Sequence, residues 1–378
     1  MGYPFKKIAV AMSGGVDSSV AAALLKDQGY EVAGFTIKTW DCDDPTAVKA
    51  GTKTCCSNDD VNDARAVANR IGIPFYVIDA EKVFQEKVVK PFEAEYAMGR
   101  TPIPCTNCNE FIKWGYLYDQ VRQIGFEAVA TGHFAKLGYD ENSDRHFIIQ
   151  GDDTMRDQSF FLFSVPQQNL KYTLFPVGDL TKEEVRKIAE KFDLETAEKP
   201  GSMDICFVKG GSYAEKIKVN MHEHVGEVRH IDGHVLGKHE GVYRYTIGQR
   251  KGLGIANKEP LYVVKIDKDK NLVVLGPEAS LQQSELLASN LTWGRLNRLD
   301  EYQKFYAKIR YRQTPQACLA KVLPNGQLHV KFLEPVRAIT PGQAVVLYDD
   351  ECAVCVGGWI INHVAPEESS LLVLGINK

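Results

Sequence analysis

The first half of the chain alternates apolar runs of strand length with segments that have helical periodicity. The apolar runs span 8–12, 32–39, 75–79 and 128–131. The segments in which apolar residues recur every three or four positions span 18–28, 59–71, 81–98 and 109–124. This repeated strand–helix order predicts a mainly parallel sheet with helices on both faces, and therefore an α/β domain.

One more helix is predicted over 181–192, because its first residues form a capping box. Thr181 is the expected N-cap, and Glu184 follows three positions later. Ligands of doubly wound α/β folds bind at the carboxyl ends of the parallel strands. The Gly14-Gly15 pair directly follows the first strand, so it is expected at that edge of the sheet.

After about residue 210 the pattern becomes strand-like. Asp232-Gly233 between two apolar runs predicts a hairpin, and 262–266 is expected to pair with 272–275. Further short strands are predicted over 305–312, 316–323, 328–333, 344–348 and 353–361. The chain is therefore divided into a sheet domain (1–209), a small central α+β or β domain (210–284) and a C-terminal β-barrel (285–378).

Composition narrows the class of protein without naming its function. A chain of 378 residues with 44% hydrophobic and 25% charged residues is typical of a globular protein with more than one core. No apolar stretch reaches the ~20 residues that a membrane helix needs, so a cytoplasmic protein with no membrane partner is expected. The net charge of −4 leaves nucleic-acid binding to local basic segments such as 238–258 and 295–312.

A glycine-rich loop between the first strand and the first helix predicts a phosphate site. Paired glycines let backbone N–H groups approach an anion, while serine hydroxyls and the helix N-terminus add donors and partial positive charge. The loop differs from a Walker A loop, because no lysine follows until Lys26, and it lacks the dinucleotide fingerprint. Its residues are Ser13, Gly14, Gly15, Val16, Asp17 and Ser18.

The cysteines are candidates for thiol or metal chemistry, because a large chain without a signal peptide does not favour a disulfide scaffold. They are Cys42, Cys55, Cys56, Cys105, Cys108, Cys206, Cys318, Cys352 and Cys355. Cys108 precedes a helix predicted from Asn109, whose N-terminus would stabilise a thiolate. Cys108 is therefore a candidate nucleophile or sulfur carrier, although a buried apolar role remains open for it and for Cys206.

The serine- and glycine-rich loop resembles the PP-loop of the N-type ATP pyrophosphatases, which split ATP into AMP and pyrophosphate. Further motifs follow it in the order 101–109, 112–113, 130–133, 157–162, 174–178, 205–207, 246–254 and 310–313. Together they are similar to those of the tRNA-specific 2-thiouridylases, from about residue 8 to 360. The resemblance implies an adenine nucleotide α-hydrolase-like sheet domain followed by a tRNA-binding barrel.

The reaction that the resemblance implies is the synthesis of 2-thiouridine in tRNA. ATP with Mg²⁺ adenylates the C2 oxygen of the wobble uridine 34, and a cysteine persulfide displaces AMP. Cys108 matches the nucleophile that carries the persulfide. Cys206 matches the second cysteine, which resolves the persulfide or forms a transient disulfide. Asp17 matches a further catalytic position. The implied partners are tRNA and a sulfur-donor protein, either a cysteine desulfurase or a sulfur-relay carrier.

The resemblance also implies binding residues. The nucleotide positions are Ala11, Met12, Ser13, Gly14, Gly15, Val16, Asp17, Ser18, Ile37 and Gly132. The tRNA positions are Ile103, Pro104, Cys105, His133, Arg156, Asp157, Gln158, Arg310, Tyr311 and Gln343. A wobble base must leave the anticodon stack to react, which is least costly for a loop nucleotide.

The chain departs from the family at the target-base loop. A common family pattern there is Asn-Pro-Asp, whereas this chain has Ile103-Pro104-Cys105. Cys105, Cys108 and Cys206 could then hold an iron–sulfur cluster that delivers sulfur to the same product. The persulfide route is preferred, and the cluster route is the alternative.

Two other functions are weighed against this one. The first is another PP-loop ligase or amidotransferase that acts on a small molecule, and the second is a non-catalytic RNA-binding protein. Cys352-x-x-Cys355 has zinc-knuckle spacing, but no second pair is near in the sequence, so structural cysteines are expected there. For Cys55-Cys56, a redox-active and an inert role both remain open.

Overall fold

The computed structural model describes residues 3–39, 58–200, 205–207 and 225–364. Cys42, Cys55, Cys56 and the domain boundary expected after residue 209 lie outside these ranges. The chain divides into two compact units. The first comprises 1–90, 104–210 and 351–354, and the second comprises 91–103, 211–350 and 355–378.

The first unit is built on a five-stranded parallel sheet with the order β3-β2-β1-β4-β7. Its strands and one separate hairpin, β5–β6, are β1 (Lys7–Ala11), β2 (Glu31–Lys38), β3 (Phe75–Asp79), β4 (Ala128–Thr131), β5 (Ala135–Asp140), β6 (Arg145–Gln150) and β7 (Thr173–Leu174). The predicted parallel sheet is confirmed. The hairpin was not predicted, because its strands carry mixed polar and apolar residues around the turn at 141–144.

Helices alternate with the strands along this part of the chain, as the pattern predicts. They are α1 (Val16–Asp27), α2 (Asn58–Ile71), α3 (Glu81–Phe84), α4 (Lys90–Ala97), α5 (Pro104–Asn107), α6 (Tyr118–Gln123), α7 (Ser159–Leu162), α8 (Gln167–Leu170) and α9 (Lys182–Lys191). All but α4, most of which belongs to the second unit, lie in the first unit. Two π-helical segments, Gln85–Val89 and Cys108–Leu117, continue α3 into α4 and α5 into α6. The capping box at Thr181 and Glu184 is present. In the parts described, no helix is both long and apolar enough to cross a bilayer.

The core of the first unit lies between β1 and the helices packed on it. Ile8, Ala9 and Val10 are fully buried, as expected for a central strand covered on both faces. On α1, Val20 and Leu25 are also fully buried in the same cluster. Burying each such side chain stabilises the fold by roughly 1.5–3 kcal/mol. This core fixes the edge of the sheet from which the phosphate loop (residues 13–18) emerges.

One predicted boundary is wrong in a way that affects the site. The helix expected to begin at Asn109 begins at Pro104. Proline is well suited to the first turn of a helix, because its missing N–H would have no intrahelical partner there and its φ angle is already helical. Cys108 therefore lies inside a continuous helical segment.

The second unit contains a four-stranded sheet and a closed barrel. The sheet has the order β10-β11-β8-β9, and the predicted hairpin at Asp232-Gly233 joins β8 to β9. The strands of the unit are β8 (Gly226–His230), β9 (Val235–His239), β10 (Tyr262–Asp267), β11 (Leu272–Gly276), β12 (Gln282–Trp293), β13 (Gln303–Lys308), β14 (Gln316–Val322), β15 (Leu328–Arg337), β16 (Ala344–Tyr348) and β17 (Val354–His363).

The closed barrel has the strand order β12-β15-β14-β13-β16-β17, which confirms the predicted C-terminal barrel. The strand expected over 305–312 ends at Lys308, however, and residues 309–313 form a turn. Gln313 accepts a hydrogen bond from the Ile309 backbone N–H (3.0 Å), which closes this turn. The basic and aromatic residues at 310–312 therefore stand on a turn at the barrel end of β13.

A buried histidine links two barrel strands. His329, on β15, is fully buried, and its Nε2 lies 2.8 Å from a carboxylate oxygen of Glu285, on β12. A carboxylate only accepts, so Nε2 carries the hydrogen and Nδ1 accepts from the Tyr302 hydroxyl at 2.8 Å. Burial lowers the pKa of His329, although Glu285 opposes this, and the ring is neutral.

We expect Tyr302→Phe to destabilise the barrel by about 1–3 kcal/mol, because it leaves the buried Nδ1 of His329 without its donor. Hydrogen exchange of β15 peptides, measured by mass spectrometry, reports this local loss. Tyr306→Phe is the matched control, since it removes a tyrosine hydroxyl from β13, which does not pair with β15, and keeps the aromatic ring. Equal exchange rates in the two variants would show that the Tyr302–His329 bond contributes nothing.

Candidate functional site

The phosphate loop wraps around the first turn of α1. The Ser13 backbone N–H donates to Oγ of Ser18 (3.2 Å), and that hydroxyl donates to the Gly15 carbonyl (3.1 Å). Gly14 has φ +70°, a conformation that favours glycine. Gly15 is the N-cap of α1 and has no side chain to cover the first N–H groups. Such unpaired N–H groups and the positive end of the helix dipole are suited to binding an anion.

Two glycines allow neighbouring backbones to touch the loop. A Cβ on Gly14 would lie 2.3 Å from the Asp60 carbonyl oxygen of α2. A Cβ on Gly132 would lie 2.4 Å from the Ser18 backbone nitrogen, at the start of α1. The structure therefore brings Gly132, after β4, against the phosphate loop. Ile37 lies near the end of the neighbouring strand β2.

Two lysines that the sequence did not identify contact the loop. Lys182 is buried at the first position of α9, and its Nζ lies 2.5 Å from Asp17 Oδ1. Lys199 donates to the Gly14 carbonyl (2.9 Å) and to Asp60 (2.7 Å), and it also contacts Asp63. A cation in the first turn of a helix opposes the helix dipole, so the position of Lys182 was a signal in the sequence. The position of Lys199 carried none.

Lys199 is charged in this arrangement. Partial burial opposes its charged form, but the hydrogen bonds to Asp60 and Asp63 outweigh this and raise its pKa. The ammonium group of Lys199 therefore lies beside the phosphate loop and forms ion pairs with Asp60 and Asp63.

A neutral histidine holds a third lysine at the end of β4. Lys113 Nζ lies 3.0 Å from His133 Nε2, and Thr131 Oγ1 lies 2.6 Å from His133 Nδ1. An ammonium only donates, so Nε2 accepts and Nδ1 carries the hydrogen. Burial, and then the charge of Lys113, lower the pKa of His133 well below its ordinary value. The ring therefore stays neutral and orients Lys113.

Aromatic side chains fix this histidine. The ring centroid of His133 lies 5.7 Å from that of Trp114 and 6.2 Å from that of Phe175. The indole N–H of Trp114, which is fully buried, donates to Thr173 Oγ1 (2.7 Å) on β7. Both nitrogens of His133 are already occupied, by Lys113 and by Thr131. A tRNA contact by His133 would therefore use the face or edge of its ring.

The two candidate cysteines of the 101–109 motif occupy different positions from those expected. The expectation that Cys108 lies at a helix N-terminus is wrong, because Pro104 starts the helix earlier. Cys105 occupies the first turn and is exposed, whereas Cys108 is half-buried and begins the π-helical segment. The stabilisation expected from the helix N-terminus therefore applies to Cys105.

The segments that carry Cys108 and Cys206 pack against the same helix. Next to Cys206, the buried Phe207 meets the ring of Phe84, with centroids 5.7 Å apart. One turn further along that helix, the Lys87 carbonyl accepts from Asn107 Nδ2 (3.3 Å). Cys206 is half-buried and present as a thiol.

The sulfur atoms of the three candidate cysteines, Cys105, Cys108 and Cys206, are not grouped closely enough for one metal ion to contact all three. Within the described ranges, the cluster of three or more Cys, His, Asp or Glu side chains whose ligand atoms lie within 4.8 Å of one another is formed by His230, Asp232 and His234. Cys105, Cys108 and Cys206 do not form such a group.

The 156–158 segment is mainly a scaffold. Asp157 is buried and accepts hydrogen bonds from the Ser159 N–H (3.0 Å) and the Ser159 hydroxyl (2.9 Å). Gln158 Oε1 accepts from the Phe134 backbone N–H (3.0 Å), next to His133. Arg156 is exposed. Of these three tRNA candidates, Arg156 has the exposed charge that a phosphate contact needs.

In the second unit, hydrogen bonds join residues that are distant in sequence. Gln343 Nε2 donates to the Thr101 carbonyl (2.8 Å), and the hydroxyls of Thr101 and Thr246 lie 3.4 Å apart. Arg310 donates to the Ala338 carbonyl (2.7 Å), and burial, followed by the nearby Arg337, lowers its pKa. The remaining tRNA candidates of this unit are Ile103, which is buried, and Tyr311, whose ring lies 6.0 Å from Lys308 Nζ.

The other described cysteines have different surroundings. Cys355 is buried in the barrel core, and burial, followed by the charge of Asp349, raises its pKa to about 12. Burial raises the pKa of Cys318 to about 12 as well. Cys352 is exposed at φ +60°. Two of these thiols thus fill space in the barrel and are poor nucleophiles.

Comparison with known proteins matches nearly the whole chain. A family model described as "tRNA methyl transferase HUP domain" matches residues 6–210. A "tRNA methyl transferase PRC-barrel domain" matches 215–277, and an "Aminomethyltransferase beta-barrel domain" matches 283–361. These matches agree with a sheet domain followed by a small domain and a barrel.

Curated relatives are similar over their full length. A tRNA-specific 2-thiouridylase MnmA 1 of Caldanaerobacter subterraneus is 45% identical over 357 residues, which cover 94% of this chain and 97% of the relative. The MnmA of Geobacter metallireducens is 46% identical over 94% of this chain and 96% of its own. That of Clostridioides difficile is 44% identical, with 94% and 98% covered. With its phosphate loop and ordered motifs, the chain belongs to the tRNA-specific 2-thiouridylase family.

Proposed function

We propose that the protein is an ATP-dependent tRNA-uridine 2-sulfurtransferase that converts the wobble uridine 34 of tRNA into 2-thiouridine, with release of AMP and pyrophosphate. The observation that carries the proposal is the meeting of three groups at one sheet edge. The phosphate loop touches Gly132, the next residue His133 holds Lys113, and Lys113 lies on the helical segment that begins with Cys108.

The phosphate loop supports the first half of the reaction. We infer that its N–H groups, with Ser13 and Ser18, bind the ATP phosphates, and that Lys182 and Lys199 add positive charge. One carboxylate oxygen of Asp17 pairs with Lys182, so Mg²⁺ would be held through the other oxygen and through the phosphates. The ion would neutralise charge on the pyrophosphate leaving group.

Adenylation solves a chemical problem at C2 of uracil. A carbonyl oxygen is a poor leaving group, whereas the same oxygen bonded to phosphorus leaves as AMP. The terminal sulfur of a Cys108 persulfide forms the new bond to C2, and the C2–O bond breaks with its electron pair going to AMP. The Cys206 thiolate then attacks Sγ of Cys108 and releases the thiocarbonyl, which leaves a disulfide that the sulfur-donor system must reduce.

Lys113 is proposed to stabilise the anionic sulfur at Cys108. In a π-helix the backbone N–H of residue i+5 bonds to the carbonyl of residue i, so Lys113 stands about one turn along from Cys108. A nearby ammonium lowers a thiol pKa. This interaction replaces the helix N-terminus that the sequence suggested, and His133 is the positioning residue for Lys113.

The cluster route is the alternative within the same function. It requires Cys105, Cys108 and Cys206 to hold an iron–sulfur cluster. The observation that supports this route is Cys105, which supplies a third thiol where a common family pattern has aspartate. The descriptions of the family models name methyltransferases. The curated relatives, which match over nearly their full length, are described as 2-thiouridylases. A site that combines an ATP-binding loop, which can activate an oxygen, with two cysteines, which can carry sulfur, suits sulfur transfer better than methylation.

The second unit is proposed to bind the tRNA. Arg310 and Tyr311 offer a cation and an aromatic ring on the turn after β13, and Gln343 lies beside the 246–249 segment through Thr101. Such a pairing suits phosphate contacts and base stacking. We propose a catalytic domain (1–209), a central domain (210–284) and a tRNA-binding barrel (285–378), with residues 91–103 grouped with the second compact unit.

The function is tested with unmodified tRNA, ATP, Mg²⁺ and a sulfur donor, with and without air, followed by nucleoside mass spectrometry. We expect 2-thiouridine from the native chain, none from Cys108→Ser, and unchanged product from the control Cys352→Ser, which alters an exposed thiol. No 2-thiouridine under either condition would refute the function. Product formed only after anaerobic cluster reconstitution would refute the persulfide route.

Gly14→Ala should abolish nucleotide binding, because its Cβ would meet the Asp60 carbonyl at 2.3 Å and the φ of +70° disfavours alanine. Equilibrium binding of ATP and release of pyrophosphate measure the loss. Gly29→Ala is the matched control, since Gly29 has φ +87° with nothing within 4 Å of a Cβ. If both variants bind ATP equally well, the loop does not form the nucleotide site.

Lys113→Met should raise the pH at which Cys108 is half-maximally alkylated by about one to three units, because it removes the neighbouring positive charge. Alkylation by iodoacetamide is followed by mass spectrometry in a Cys105→Ser background, so that Cys108 is the only reactive thiol of its peptide. Lys113→Arg should restore most of the effect, and Lys191→Met, on the exposed end of α9, should change nothing. An unchanged profile in Lys113→Met would remove Lys113 from the mechanism.

A further inference from the structure

The hairpin between β8 and β9 carries two histidines and a carboxylate that face one another. Nδ1 of His230 lies 3.0 Å from Asp232 Oδ2, and Nδ1 of His234 lies 2.5 Å from Asp232 Oδ1. The two imidazole rings are stacked, with centroids 4.9 Å apart. The ligand atoms of the three residues all lie within 4.8 Å of one another. This spacing is small enough for one metal ion to contact all three.

The hairpin turn holds the three side chains in place. The His230 backbone N–H donates to the His234 carbonyl (2.9 Å), and the Gly233 N–H donates back to the His230 carbonyl (2.8 Å). Gly233 has φ +101°, which this tight turn requires. The three ligands therefore come from five consecutive residues with a fixed backbone, and little chain entropy is lost when a metal binds.

The charge of the cluster also suits a cation. The Asp232 carboxylate, which accepts the His234 backbone N–H (3.2 Å), places an anionic oxygen beside each imidazole ring. An imidazole nitrogen that carries no hydrogen can serve as a metal ligand, and Nδ1 of each ring lies beside the carboxylate. Asp232 and His234 are more than half exposed, and His230 is about one-fifth exposed. A metal there would keep coordination positions open to solvent.

We propose that His230, Asp232 and His234 form a binding site for one late first-row divalent cation, such as Zn²⁺, Ni²⁺ or Co²⁺. Two imidazole nitrogens and one carboxylate oxygen match the ligand preference of these ions, whereas Mg²⁺ prefers oxygen ligands and retains its waters. The site is therefore distinct in kind from the Mg²⁺ site proposed at Asp17. A bound ion would cross-link the β8–β9 turn and keep free coordination positions that face solvent.

The test is a titration of the chelator-stripped chain with Co²⁺, followed by visible absorption. We expect one equivalent to bind with the weak d–d bands of nitrogen and oxygen ligands, and this equivalent to be lost in the double variant His230→Gln, His234→Gln. The intense sulfur-to-cobalt charge-transfer band separates this equivalent from ions bound by cysteines. His146→Gln, which alters a histidine of the first unit, is the control and should retain the equivalent.

A second measurement follows the hairpin itself. Saturating Co²⁺ should slow hydrogen exchange of the 226–239 peptides in the native chain and in His146→Gln, but not in the double variant. The proposal would be overturned if the double variant still bound the non-thiolate equivalent of Co²⁺. It would also be overturned if hydrogen exchange of the native hairpin were the same with and without Co²⁺. Both readouts are independent of thiolation, so they fail or succeed separately from the proposed enzymatic function.

Discussion

The site depends on the close approach between Gly132 and the first turn of α1. Because β1 and β4 are adjacent parallel strands and Ala11 is paired with Thr131, the two strands end at the same level of the sheet. The absence of a side chain at Gly132 lets the two backbones touch. Every other part of the site is placed from this contact: the phosphate loop on one side, and His133 with Lys113 on the other.

Much of this architecture could be predicted from local patterns. The parallel sheet, the capping box at Thr181, the Asp232-Gly233 hairpin and the barrel all follow from periodicity and turn residues. What could not be predicted depends on tertiary contact. Lys182 and Lys199 reach the phosphate loop from 165 and 185 residues away along the chain, and no local pattern encodes that distance. The hairpin β5–β6 was missed because its polar and apolar residues do not alternate cleanly.

The misplaced start of one helix shows how a single residue changes the chemistry. The sequence predicts a helix from Asn109, after the proline, whereas Pro104 begins it. This shift gives Cys105 the N-terminal position and moves Cys108 into the π-helical segment, where residue i+5 stands one turn away. The proposed electrostatic partner of Cys108 thereby changes from the helix N-terminus to the ammonium of Lys113, which lies on the same π-helical segment. An α-helix in the same place would turn Lys113 to a different side.

The contact of Lys199 with the phosphate loop also sets a limit on the second cysteine. Lys199 holds the Gly14 carbonyl, and Cys206 follows seven residues later in the chain. A chain of that length spans at most about 25 Å when fully extended. While Lys199 holds the phosphate loop, Cys206 therefore stays within about 25 Å of that contact, and this distance bounds the groups with which the proposed mechanism lets it react.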